Sequence, residues 1–149
     1  MTDAAPKRAV FDTNVIIAAL LSRNPNSPLQ ELLARWHNGE FELLYCFDLL
    51  AEYREKLASK RILPSTTLDF LRELAAAGVA VDLSPGDVAP RVVQDPDDDI
   101  VVACALVGGA THLVTYDPHI QSLGSSIGSV QILNGLHFLY AVRGDVPPE

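Results

Sequence analysis

The amino-acid sequence predicts an α/β fold, a three-layer α/β/α sandwich on a central, mostly parallel five-stranded sheet. Three observations lead there. Short apolar runs of strand length alternate with helical patterns from residue 8 to residue 142, and such alternation makes parallel strands whose crossover helices cover both sheet faces. Two of the runs, residues 8–12 and 112–117, finish on an acid, at the strand end where open α/β sheets place their ligands. The chain has 149 residues, 48% of them hydrophobic, which suits one domain with a sizeable core. It is therefore read as a single domain over 1–149, with a core of about 8–142 and short frayed termini.

Each element follows from local chemistry. Residues 8–12 are apolar and end in Asp12, and residues 15–21, after Thr13 and Asn14, form an apolar helix on the sheet. Ser27-Pro28-Leu29-Gln30 has the form of a capping box with proline in the first turn, so a helix should run to about Asn38, where Gly39 ends it. Residues 41–47 make the second strand. Asp48 is then expected to cap a helix over 49–59, with Leu49, Leu50, Tyr53 and Leu57 on one face and Glu52 at that face's edge. Past Leu63-Pro64, Ser65 or Thr66 starts a helix through Ala77, with Leu68, Leu71, Leu74 and Ala75 inward and Gly78 as its stop. Residues 79–83 form a third strand and 84–90 a turn-rich loop.

The segment from Asp95 carries four aspartates in five positions. Asp95 suits an N-cap and Pro96 the first helical position, while Asp97, Asp98 and Asp99 fill the first turn. Gly108 and Gly109 stop this helix. Residues 112–115 are a buried strand, 122–126 a polar linker, 129–133 the fifth strand and 136–142 a last short helix.

Composition narrows the function. The formal net charge is −8, so general adsorption to nucleic acid, which relies on Lys and Arg, is excluded. Any nucleic-acid role needs a local basic patch or metal ions. Cys46 and Cys104 lie in apolar segments and read as buried thiols, not as a disulfide framework. Residues 1–8 lack the apolar run of a signal peptide, and no run approaches the ~18 apolar residues of a membrane span. A cytoplasmic protein with no membrane association is expected.

In a parallel sheet, strand ends and helix starts share one edge. Asp12 ends the first strand, Asp117 follows the strand after the acidic helix, and Asp98 lies in that helix's first turn. Glu52, near the start of a helix leaving the same edge, can join them. No basic residue neighbours Asp12, Asp98 or Asp117 in sequence, so crowding would raise their pKa values or recruit a hard cation. Oxygen donors favour Mg²⁺ or Mn²⁺ over zinc, and such an ion can activate water and stabilise charge on a phosphoryl oxygen. Blander readings compete. Acids at a helix N-terminus each gain about 0.3–1 kcal/mol from the macrodipole, which accounts for two aspartates better than four. Glu52 could simply pair with Lys56 one turn on.

Val10-Phe11-Asp12-Thr13-Asn14, Leu50-Ala51-Glu52-Tyr53, Asp95-Pro96-Asp97-Asp98-Asp99 with the following Ala103-Cys104-Ala105, and Val114-Thr115-Tyr116-Asp117 together resemble the four motifs of PIN-domain nucleases. The bacterial VapC-like toxins are the nearest subgroup. The resemblance spans residues 8–142 and implies a set of roles. Asp12, Glu52, Asp98 and Asp117 would be the catalytic acids, with Asp12, Asp98 and Asp117 holding Mg²⁺ or Mn²⁺. Asn14 would position Asp12 or the ion, and Thr115 would supply a hydroxyl. Asp98 is preferred over Asp99 because it stands seven residues before Ala105; Asp99 would point outward and Asp95 would cap. The family's activity is endonucleolytic RNA cleavage by a metal-activated water. Its toxins are usually homodimers silenced by an antitoxin protein.

The chain departs from the family in having Pro118 and His119 just after the fourth acid. His119 is read as a loop histidine, with substrate contact as the alternative, and His37, His112 and His137 as structural or surface residues. The densest basic cluster, Arg54, Lys56, Lys60 and Arg61 beside Glu52, is the candidate RNA-binding surface, joined by Arg23 and Arg91. Two other functions fit the residues less well. A phosphatase of the Asp-x-Asp type would need an acid where Asn14 stands, and a receiver would need a lysine ending a late strand, which residues 130–134 do not offer. A non-catalytic PIN-like module that binds RNA or protein is the second alternative.

Overall fold

A computed structural model describes residues 6–90 and 97–146. Its elements in chain order are β1 (Arg8–Phe11), α1 (Thr13–Leu21), α2 (Pro28–His37), β2 (Glu42–Tyr45), α3 (Phe47–Ala58), α4 (Pro64–Ala77), β3 (Val79–Ala80), α5 (Asp97–Val107), β4 (His112–Val114), α6 (Pro118–Gln121), β5 (Ser126–Ile127), β6 (Val130–Leu133) and α7 (Gly135–Arg143). The sheet order is β3-β2-β1-β4-β6-β5, parallel except for β5 against β6. The expected α/β/α architecture is present, but the sheet has six strands where the sequence predicts five. The sixth is β5, which begins at the last residue of what reads as linker. It pairs Ile127 with Val130 across Gly128-Ser129, and Gly128 takes φ +57°, a left-handed value that the tight turn demands.

Alternation across the strands sets the layers. Phe11 of β1 and His112 of β4 both face Phe138 of α7, at ring-centroid distances of 5.8 and 5.1 Å. Phe41 joins this cluster at 5.1 Å from Phe138. Val10 and Leu113 must then point to the other face, which α5 covers by packing on β1, β2 and β4. α5 is buried continuously from Val101 to Ala105, as a helix enclosed by protein must be. α3 touches both α1 and α5, and the buried Tyr53 hydroxyl donates to the Phe11 carbonyl at the end of β1. The thiols of Cys46 and Cys104 are free and buried.

Several local expectations change. Cys46, not Asp48, occupies the N-cap of α3, and Asp48 lies in its first turn. The buried face of α4 consists of Phe70 and Leu74, whereas Leu68 and Ala75 are exposed. Phe70 wins because its ring meets both Trp36 of α2 and Tyr53 of α3, each at 6.0 Å. α6 is a helix where no element was expected, capped by the Asp117 side chain. Residues 91–96, and with them the readings of Asp95 as cap, Pro96 as first helical residue and Arg91 as a basic contributor, lie outside the described residues.

Candidate metal centre

The parallel register assembles the centre. Phe11 of β1 pairs with Val114 of β4, so the next residues, Asp12 and Thr115, emerge side by side. The Asp12 N–H donates to the Val114 carbonyl at 2.9 Å. Asp12 then stops being strand and caps α1, its Oδ1 accepting the Thr13 N–H at 2.8 Å. Its Oδ2 accepts the Thr115 hydroxyl at 2.7 Å, and Thr115 Oγ1 in turn accepts the Asp117 N–H at 2.9 Å. On the other flank the Thr13 hydroxyl donates to Glu52 Oε2 at 2.6 Å. One run of contacts thus links Glu52, Thr13, Asp12, Thr115 and Asp117, from α3 across β1 to β4.

The electrostatics show how close these acids stand. Burial raises the Asp12 carboxyl from an ordinary 3.8 to about 6, against the lowering effect of its hydrogen bonds from Thr115 and Thr13, and the charges of Glu52 and Asp117 push it up further. Asp98 reaches the same edge from the first turn of α5 and is buried. Asp98, Asp117 and His119 each offer one ligand atom, all within 4.8 Å of one another. Next to them opens a cavity of about 250 Å³ lined by Asp48, Glu52, Glu55, Lys56 and Asp97.

The predicted residues therefore divide. Asp12, Glu52, Asp98 and Asp117 converge at one edge of the sheet. Thr115 is buried against Asp12, while Asn14 accepts the Tyr116 N–H at 3.4 Å and so braces the β4 end. Asp99 does not point outward: it is only 5% exposed, and Asp97 is the exposed residue of that first turn. Glu52 is engaged by Thr13 and not by Lys56. The basic cluster spreads out. Lys56 lines the acidic cavity, Arg54 an apolar groove between α3 and α4, and Arg61 a separate cleft shared with Arg23; Lys60 is exposed.

Four contributors were not foreseen. Thr13 bridges two acids, and its position beside Asp12 was the only sequence signal. Asp48 and Glu55, one turn either side of Glu52 on α3, line the cavity with it. His119 stands in α6, its N–H donating to Asp117 Oδ1 at 2.8 Å and its Nδ1 at 3.4 Å from the same oxygen. The cue was a histidine two residues past a strand-end acid.

The family profile described as PIN domain matches residues 8–119. This chain belongs to the PIN-domain family. Members of that family are generally nucleases, and the matched span holds all four converging acids. No curated protein matches the PIN domain described here by sequence. Its fold is similar to that of PAE2754 from Pyrobaculum aerophilum, with a TM-score of 0.64, 14% identity, and coverage of 94% of this chain and 97% of that one. It is also similar to VapBC2 from Rickettsia felis bound to a DNA fragment from their promoter, with a TM-score of 0.59, 14% identity, and coverage of 85% and 98%. A third similar structure is FitAB bound to the IR36 DNA fragment, with a TM-score of 0.51, 18% identity, and coverage of 87% and 96%.

The donor set of this PIN domain suits a hard divalent ion. Carboxylates dominate it, and no Lys or Arg pairs with Asp12, Glu52 or Asp117 among the described residues. Among the described residues, no helix is long and apolar enough to cross a membrane.

Proposed function

We propose that this PIN domain is a Mg²⁺- or Mn²⁺-dependent endoribonuclease acting in the cytoplasm, and the toxin of a toxin–antitoxin pair. The observation that carries the reading is the convergence of the acids, whose charges repel at close range: buried Asp12 is linked through Thr13 to Glu52 and through Thr115 to Asp117, and Asp98 offers a ligand atom within 4.8 Å of one on Asp117. A divalent cation relieves that repulsion, which neither a capped helix nor a surface ion pair would do. Asp12, Asp98 and Asp117 are the residues that would hold it.

When bound, the ion supplies Lewis acidity toward a phosphoryl oxygen and acidifies a water ligand. The chain's own groups do the positioning. Thr115 fixes Asp12 and Asp117 relative to each other through one hydroxyl. Thr13 holds Glu52 at the rim, where its carboxylate is placed to accept a proton from the attacking water. Lys56, the one cation among the described residues that line the acidic cavity, would meet a backbone phosphate. Arg54 on α3 and Lys60 and Arg61 just past its end lie apart from one another, and each would meet a different stretch of a long substrate.

The antitoxin and a homodimer belong to the same proposal. VapBC2 and FitAB are two-component assemblies on DNA by their descriptions. Here Phe47 and Leu68 are 80% and 46% exposed along the α3–α4 groove, a patch suited to an apolar segment of a partner. The decisive experiment is cleavage of single-stranded RNA and DNA with Mg²⁺, Mn²⁺ or EDTA, using Asp12→Asn and Asp98→Asn as controls with folding checked by circular dichroism. RNA cleavage that needs metal and disappears in both variants is expected. Cleavage persisting in both variants overturns the site, and no cleavage of either polymer favours the binding-module alternative.

A further inference from the structure

We propose that the imidazole of His119 is itself a ligand of the ion, alongside Asp98 and Asp117, and that it tilts the site toward Mn²⁺ over Mg²⁺. This rests on the metal-site reading above and adds a donor that the pattern of four acids does not contain.

The geometry comes first. His119, Asp98 and Asp117 each present a ligand atom, with all three within 4.8 Å of one another. Ligands about 2.1 Å from a shared ion lie roughly 3 Å apart when adjacent and 4.2 Å when opposed. Separations of no more than 4.8 Å lie close to that range. Local structure keeps the ring there. Pro118 fixes φ at the first position of α6, Asp117 caps that turn, and the His119 N–H is held by the Asp117 carboxylate. The ring is 46% exposed, so it is not packed as a core residue, unlike the buried His112.

Chemistry sets the preference. Mg²⁺ demands near-ideal octahedral oxygen coordination and dehydrates reluctantly. Imidazole suits later first-row ions better, and affinity for a nitrogen-containing site rises along the series that begins at Mn²⁺. A site of oxygens alone lacks that bias.

The test uses the full chain stripped with EDTA, as wild type, His119→Ala and His119→Asp. Mn²⁺ and Mg²⁺ affinities are measured by calorimetry, and the Mn²⁺-loaded proteins by pulsed electron paramagnetic resonance for coupling to a ¹⁴N nucleus. Wild type should show imidazole nitrogen coupling that is lost in His119→Ala. That variant should lose Mn²⁺ affinity by at least the roughly tenfold that even supporting groups around a metal contribute, with Mg²⁺ affinity changing less. His119→Asp should bind Mg²⁺ at least as well as wild type. Mn²⁺ binding without nitrogen coupling, or an unchanged Mn²⁺/Mg²⁺ ratio in His119→Ala, overturns the assignment and leaves the nuclease reading standing. Failure of either ion to bind wild type at millimolar concentration removes both.

Discussion

At the scale of single residues, Asp12 is where stability and function pull apart. Its native carboxyl holds a proton up to about pH 6, whereas in the unfolded chain it ionises near 3.8. Between those values the native state binds more protons, so without metal this group's contribution to stability falls as pH rises from about 4 to 6 and stays low above. The full swing is roughly 3 kcal/mol. Asp12→Asn removes the buried charge, so in EDTA it should melt higher than wild type at pH 8, by up to that amount, and equally at pH 4; thermal melts at the two pH values check this. Thr115→Val acts the other way. It strips a fully buried hydroxyl from Asp12 Oδ2 and leaves the Asp117 N–H without its acceptor, which should cost about 1–3 kcal/mol by denaturant titration and abolish cleavage. The acids themselves were legible in the sequence because each sits at a strand end or helix start. Thr13 and His119 were not, because their roles arise from neighbours 39 positions away or on another helix, which no local pattern encodes.

At the scale of elements, α3 and α4 carry the lesson. α3 is pinned to β1 by one hydrogen bond from Tyr53 to the Phe11 carbonyl. Tyr53→Phe should destabilise by about 1–2 kcal/mol and reduce cleavage, since Glu52 precedes Tyr53 on that helix. Phe70 fills the space between Trp36 and Tyr53; Phe70→Ala should cost about 3–5 kcal/mol, while Leu68→Ala, on the exposed side, should change stability little, as denaturant titration of both variants would show. The sequence could not choose between these stripes. Leu68, Leu71 and Ala75 repeat at helical spacing as regularly as Phe70 and Leu74 do, and only the aromatic partners on α2 and α3 decide which side turns inward. β5 escaped notice for a different reason: two residues are too few to show alternation, although Gly128-Ser129 was a legible turn.

At the scale of the whole molecule, repulsion among the acids is built into the sheet's topology, so ligand binding and folding stability are linked. Mg²⁺ or Mn²⁺ at a hundred times its dissociation constant should stabilise the chain by about 2.7 kcal/mol, read as a rise in melting temperature absent in Asp98→Asn. The parallel order β2-β1-β4-β6 was predictable in kind from the strand–helix alternation, and with it the convergence of Asp12, Asp98 and Asp117. Burial of Asp99 was not, because its outward placement was inferred from spacing while the depth of the first turn of α5 depends on how three strands and α3 pack around that helix.

The hydrogen bond between Thr115 and Asp12 joins residues 103 positions apart. During synthesis, Asp12 and Glu52 leave the ribosome long before β4 exists, and until it slots in beside β1 they are ordinary, separated carboxylates. The site therefore cannot assemble before residues 112–117 have been made, however early its first acids appear.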